Sequence, residues 1–146
     1  MDIRILQPGD EQCLIQAVDL TDEGPISHER ARAHLLDTDL VNLVALVDGE
    51  PVAFIYGHVL RRFEATSLFI YSVDVAERFQ RQGIGKAMFA ALSDLGRTGR
   101  WDEMFVFTNA DNTAAMALYT GAGGVRPNRD DVMFDFVSDH DAASVG

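Results

Sequence analysis

The chain has 146 residues, 47% of them apolar, which is the size of one domain with a full core. Its net charge of −11, from 23 acidic residues against 12 basic ones, argues against binding nucleic acid through phosphates and suits a cationic partner. No apolar run reaches the roughly 18 residues of a membrane span, and the lone Cys13 excludes an internal disulfide.

Residues 2–7 alternate polar and apolar and are predicted as a first strand. Pro8-Gly9-Asp10-Glu11 ends it and opens a helix through about Leu20, with Cys13 packed on it. Residues 21–25, TDEGP, form a loop, and Ser27 caps a second helix that ends near Asp37. Residues 40–47 and 51–60 are strands joined at Asp48-Gly49, the strongest short hairpin signal. A charged connection, 61–67, leads to a third strand, 68–75. A glycine-rich stretch follows. The next helix spans 84–95, with Ile84, Ala87, Met88, Ala91, Leu92 and Leu95 on one face. A strand is expected over 103–109, a short helix over 113–121 and a last strand over 131–136. The whole is a single domain, 1–146, with 137–146 as a flexible tail. Its fold class is α/β: an antiparallel meander feeding a β-α-β unit. The N-terminus lacks a basic region followed by an apolar stretch, so no signal peptide is expected and the setting is cytoplasmic.

The stretch RFQRQGIGKAM, residues 78–88, places Arg78, Arg81 and the only lysine, Lys86, around Gly83 and Gly85. A helix N-terminus carries unpaired N–H groups and about half a positive charge, an arrangement that binds phosphate. Glycines there let an anion approach the backbone closely. A dinucleotide-type G-x-G-x-x-G fails, since position 88 is Met, and a Walker loop fails because no Ser or Thr follows Lys86. Q-x-x-G-x-G, at Gln80, Gly83 and Gly85, does fit.

This pattern resembles motif A of the GNAT superfamily of N-acetyltransferases. A second segment, residues 112–124, is similar to the superfamily's N-x-x-A-x-x-L-Y-x-x-x-G at Asn112, Ala115, Leu118, Tyr119 and Gly123. The resemblance implies a mostly antiparallel sheet of six to seven strands flanked by about four helices. It implies acetyl-CoA as co-substrate, and His28, His34, His58 and His140 show no metal-ligand spacing, so no metal is expected. The pyrophosphate would be held by Gln80, Arg81, Gln82, Gly83, Ile84, Gly85 and Lys86. Strand 68–75 would splay from strand 103–109, so that backbone groups of Val73 and Val75 pair with the pantetheine arm. Asn112 would contact the cofactor from the other side. Tyr119, a phenol protonated at neutral pH, would give its proton to the leaving thiolate. The amine would attack the thioester directly.

The acceptor arrives as an ammonium, so carboxylates are needed to attract it and to take its proton. Asp22, Glu23, Glu64 and Asp111 lie in segments that flank the cleft in such folds. Asp111 is expected as base or anchor, and Glu64 as a second anchor. A narrower resemblance, to GNAT-type aminoglycoside 3-N-acetyltransferases, rests on Val59, Leu60, Phe63, Glu64, Ile70, Tyr71, Ala110, Asp111, Leu118, Tyr119, Thr120, Val132 and Met133. It implies an aminoglycoside acceptor acetylated at its 3-amino group. Ser72 stands where that family carries an acid after the strand tyrosine, with Asp74 two residues on. The alternatives are another small amine or peptide N-terminus as acceptor, or an acyl-CoA-binding module without turnover. The tail strand 131–136 is suited to pair across a two-fold axis, which makes a homodimer an expectation.

Overall fold

The computed structural model describes residues 1–138. In chain order it contains β1 (Asp2–Ile5), α1 (Glu11–Val18), α2 (His28–Leu36), β2 (Leu40–Val47), β3 (Glu50–Arg61), β4 (Thr66–Val75), α3 (Ile84–Leu95), β5 (Glu103–Val106) and α4 (Thr113–Gly121). A 3-10 turn, Glu77–Phe79, precedes α3, and a π-turn, Gly96–Arg100, follows it. Among the described residues no helix is long and apolar enough to cross a membrane.

The five strands form one sheet in the order β1-β2-β3-β4-β5. β1 to β4 are antiparallel, and β5 runs parallel to β4. β2 reads as an apolar run interrupted only by Asn42 because it is covered on both faces. Val41, Leu43 and Ala45 pack with Met88, Phe89 and Leu92 of α3. Val44 and Leu46 pack with Leu14 and Ala17 of α1 and with Ala31 and Leu35 of α2. The molecule is therefore three layers, with helices on both faces of the sheet.

Helix boundaries follow local signals. Ser27 Oγ accepts from the Arg30 N–H and Asn112 Oδ1 from the Ala115 N–H, each at 3.1 Å, so both residues serve as N-caps. Asp10 caps no helix N–H; its carboxylate instead accepts from the Gln7 N–H at 2.7 Å and closes the turn after β1.

Three expectations are corrected. The sheet has five strands, not six to seven: residues 131–136 form no ladder and their side chains are exposed. An alternating pattern makes a strand only where a neighbour supplies hydrogen bonds. β5 ends at Val106 rather than at 109, where its pairing with β4 stops and no neighbour supplies further hydrogen bonds. β1 stops at Ile5, short of 7. Of the expected flexible tail, residues 139–146 lie outside the described residues.

Candidate active site

The site begins with a defect in the sheet. Along β3 and β4, Tyr56 lies opposite Ser72, but Gly57 lies opposite Ile70. Tyr71 is the extra residue of a β-bulge, which bends a strand and increases its twist. A Cβ at Gly57 would stand 2.3 Å from the Phe69 carbonyl oxygen, so this close approach requires glycine. Pairing of β4 with β5 ends at Ile70 and Val106, directly beside the bulge. Beyond that point the β5 side of residues 71–75, which include Val73 and Val75, has no strand partner among the described residues. A wedge opens between the two parallel strands.

At the end of β4 the chain curls into α3. Arg81 and Gly83 both have left-handed backbone, with φ of 62° and 83°. Successive N–H groups in such a curl make an anion-binding concavity that continues into the helix N-terminus. No acidic residue occupies the first turn of α3. Arg78, Arg81 and Lys86 are exposed nearby. The Gln80 side chain is engaged elsewhere, donating to the Val75 carbonyl at 3.0 Å, and Gln82 donates to the Arg78 carbonyl at 3.1 Å. Both amides brace the loop. Ile84 is buried in the core below α3. The two glycines have different reasons. Gly83 supplies the left-handed turn and meets open space, whereas a Cβ at Gly85 would stand 2.8 Å from a Leu118 methyl. Gly85 thus lets α4 approach α3.

That approach positions Tyr119, the residue after Leu118. Its ring packs edge-on against Phe89 at 5.6 Å between centroids. Burial raises the phenol pKa above its ordinary value, and the Asp74 carboxylate raises it further. The phenol is a protonated donor at neutral pH. Asp74 itself is half-buried near the end of β4 and accepts a hydrogen bond from Ser72 Oγ. Burial raises its pKa, the Ser72 hydroxyl lowers it, and the negative charges of Asp22 and Glu23 raise it again. Groups from different parts of the chain are thus linked through Asp74, which feels Asp22 and Glu23 and is itself felt at Tyr119. Tyr56 joins them by donating its phenolic hydrogen to Glu23.

Asp74 was not among the expected site residues. Its signal was a carboxylate set inside an apolar strand, S-V-D-V, where acids are rare unless they have a partner or a task. Two expected acids, Glu64 and Asp111, are not among the charges felt at Asp74 or Tyr119. Glu64 lies in the turn between β3 and β4, at the opposite end of β4 from Asp74. The strand rise of about 3.3 Å per residue puts roughly 26 Å between Thr66, which starts β4, and Asp74. Asp111 is exposed in the turn before α4, and Tyr119 lies about two helical turns further on. The Asn112 side-chain oxygen is committed to capping α4. Among the described residues no group of three or more His, Cys, Asp or Glu side chains is placed to hold a metal.

Comparison with known proteins bears on this arrangement. The chain resembles two aminoglycoside acetyltransferases from uncultured soil metagenomic samples. The first, meta-AAC0020 in complex with trehalose, is 22% identical with a TM-score of 0.84, covering 94% of this chain and 96% of the other. The second, HMB0005, is 25% identical with a TM-score of 0.81, covering 94% and 98%. AAC(6')-Iy, in complex with the bisubstrate analogue CoA-S-monomethyl-acetylneamine, is 20% identical with a TM-score of 0.78, covering 94% and 97%. No curated protein matches the sequence. The model of the acetyltransferase (GNAT) family matches residues 11–123, which take in α1, the bulged and splayed β4, the curl before α3 and the whole of α4. With that span matched, the chain belongs to the GNAT acetyltransferase family.

Proposed function

We propose that the protein transfers the acetyl group of acetyl-CoA to a primary amine of a small cationic acceptor, by direct attack within a ternary complex. The observation that carries this reading is the wedge between β4 and β5, with an anion cradle at one end and the Tyr119–Asp74 neighbourhood beside it. The cradle's backbone N–H groups, with Arg78, Arg81 and Lys86 around them, suit a pyrophosphate. The unpaired edge of β4 at Val73 and Val75 offers hydrogen bonds to an extended amide chain, as to another strand. Acetyl-CoA supplies an activated thioester. Asp74 takes the proton from the acceptor ammonium, the free amine bonds to the acetyl carbon, and the carbon–sulfur bond breaks. Tyr119 gives its proton to the departing sulfur and regains one from the nitrogen, which keeps a single hydrogen as the amide. We assign the base to Asp74 rather than Asp111 on its half-buried place in the unpaired end of β4, where it accepts from Ser72 Oγ. Asp22 and Glu23 attract and orient the ammonium.

Aminoglycosides are the acceptor class supported by the solved relatives, one of which is in complex with sisomicin. The 3-amino position rests on the sequence resemblance alone. A homodimer belongs to the same reading, with the exposed Phe134 and Phe136 as apolar surface for a partner, and light scattering checks it.

The test is CoA-thiol release from acetyl-CoA with aminoglycosides, spermidine and peptide amines beside a control without acceptor. Turnover with an aminoglycoside supports the full reading, and NMR of the product then gives the acetylated position. Tyr119→Phe is expected to cut kcat by about ten- to ten-thousandfold while CoA still binds in calorimetry. Unaltered turnover in that variant counts against Tyr119 as the acid. CoA binding without release for any amine favours a binding module.

A further inference from the structure

A cavity of about 660 Å³ opens on the sheet face that carries α1 and α2. Its volume falls in the range of small-molecule sites, roughly 300–1,000 Å³. Leu14, Val18, Ile26 and Phe54 give it apolar walls. His34 and Tyr56 meet there nearly at right angles, with an interplanar angle of 74° and 5.9 Å between ring centroids. The His34 ring is pinned from behind by a 2.8 Å hydrogen bond between Nε2 and Oδ1 of the buried Asn42. The result is a fixed aromatic corner.

The cavity adjoins the reacting centre. Phe54 on its floor lies directly opposite Asp74 in the β3–β4 register, and Tyr56 lies opposite Ser72. Directly opposed residues hold their Cβ atoms about 5 Å apart. Glu23 lines the cavity and its charge is also felt at Asp74. Two carboxylates, Glu23 and Asp37, line it against one guanidinium, Arg30, so its formal charge is negative. Tyr56 occupies one Glu23 oxygen, which leaves the other for a cation.

We propose that this cavity is a distal subsite for the acceptor, taking an apolar or aromatic group joined by a short chain to the amine that Asp74 deprotonates. It rests on the amine-acetylation reading and not on the aminoglycoside one. The apolar walls, Leu14, Val18, Ile26 and Phe54, favour a group that loses little hydration on entering. A phenyl or alkyl group would fill the corner, and its ammonium would lie between Glu23 and Asp74.

The test compares ethylamine, butylamine and phenethylamine as acceptors, with phenethylamine binding followed separately by saturation-transfer NMR in the absence of acetyl-CoA. Each buried methylene is expected to raise kcat/KM by roughly fourfold, giving a steep rise from ethylamine to phenethylamine. Ala33 lines the cavity from an exposed position on α2, so Ala33→Trp fills it without disturbing the core. In that variant the ratio of phenethylamine to ethylamine kcat/KM should collapse at least tenfold, and the saturation-transfer signal should disappear. A flat series, or a ratio indifferent to Ala33→Trp, overturns the proposal. Phenethylamine binding that Ala33→Trp abolishes, with no amine turned over, would keep the subsite and remove the acetyl-transfer reading.

Discussion

At the scale of single residues, Asp74 carries the sharpest consequence because it links stability to activity. Burial, with Asp22 and Glu23 nearby, raises its pKa above the ordinary carboxylate value near 3.9. The folded chain therefore holds this proton more tightly than the unfolded chain does. The contribution of Asp74 to stability is best below the unfolded pKa and declines as pH rises through the folded one. Asp74→Asn carries no charge at any pH and can still accept from Ser72. It should melt higher than the parent at pH 7, and the difference should vanish near pH 3 on thermal melts. The same change should lower kcat/KM by about a hundred- to ten-thousandfold and abolish the acid limb of the pH–rate profile. A variant that keeps that limb would remove Asp74 as the base. The glycines and the tyrosine of this site were legible in sequence because motif spacing marks them. The Asp74 role was not, since it depends on which loop folds over the end of β4. Loop acids such as Glu64 and Asp111 carry no signal that separates a near neighbour from a distant one.

Elements differ in how plainly the sequence announces them. The α3 and α4 boundaries coincide with the expected 84–95 and 113–121, because an apolar stripe, a glycine and an asparagine cap all agree locally. The β4 bulge depends on a neighbouring strand, yet it left a trace. Leu68 and Ile70 face α3 at even positions, whereas Val73 and Val75 do so at odd ones, so the period-2 phase slips at Tyr71. Gly57, following the apolar run of residues 51–56 inside β3, was the second trace. It yields a prediction. In Gly57→Ala the new Cβ would meet the Phe69 carbonyl, a backbone atom that cannot step aside like a side-chain end. The cost should be about 1–3 kcal/mol, as for other overpacked sites, visible as a lower denaturant midpoint. The sheet can relieve the clash only by straightening the bulge, which closes the wedge. CoA affinity should then fall at least tenfold in calorimetry at temperatures where the variant is fully folded. A variant destabilised but binding CoA as before would mean that the bulge does not hold the wedge open.

For the molecule as a whole, the charge distribution sets two opposite demands. A net charge of −11 draws in a cationic acceptor and repels an anionic cofactor, and only Arg78, Arg81 and Lys86 reverse the sign locally at the cradle. The long-range part of this field is carried by exposed side chains, so salt screens it. The short-range part, N–H groups and the arginines against a bound pyrophosphate, is screened far less. Raising NaCl from about 20 to about 300 mM shortens the screening length from roughly 20 Å to under 10 Å. The kcat/KM of an acceptor bearing several ammonium groups should fall by about tenfold or more across that range. A monoamine should fall much less, since it couples to the field through one charge. The acetyl-CoA KM should stay level or improve, because salt weakens the repulsion more than the local cradle. Initial rates with each substrate varied in turn separate these effects. Equal salt dependence for polyamine and monoamine would show that the acidic surface serves solubility alone, and that recognition resides wholly in Asp22, Glu23 and Asp74 at contact distance.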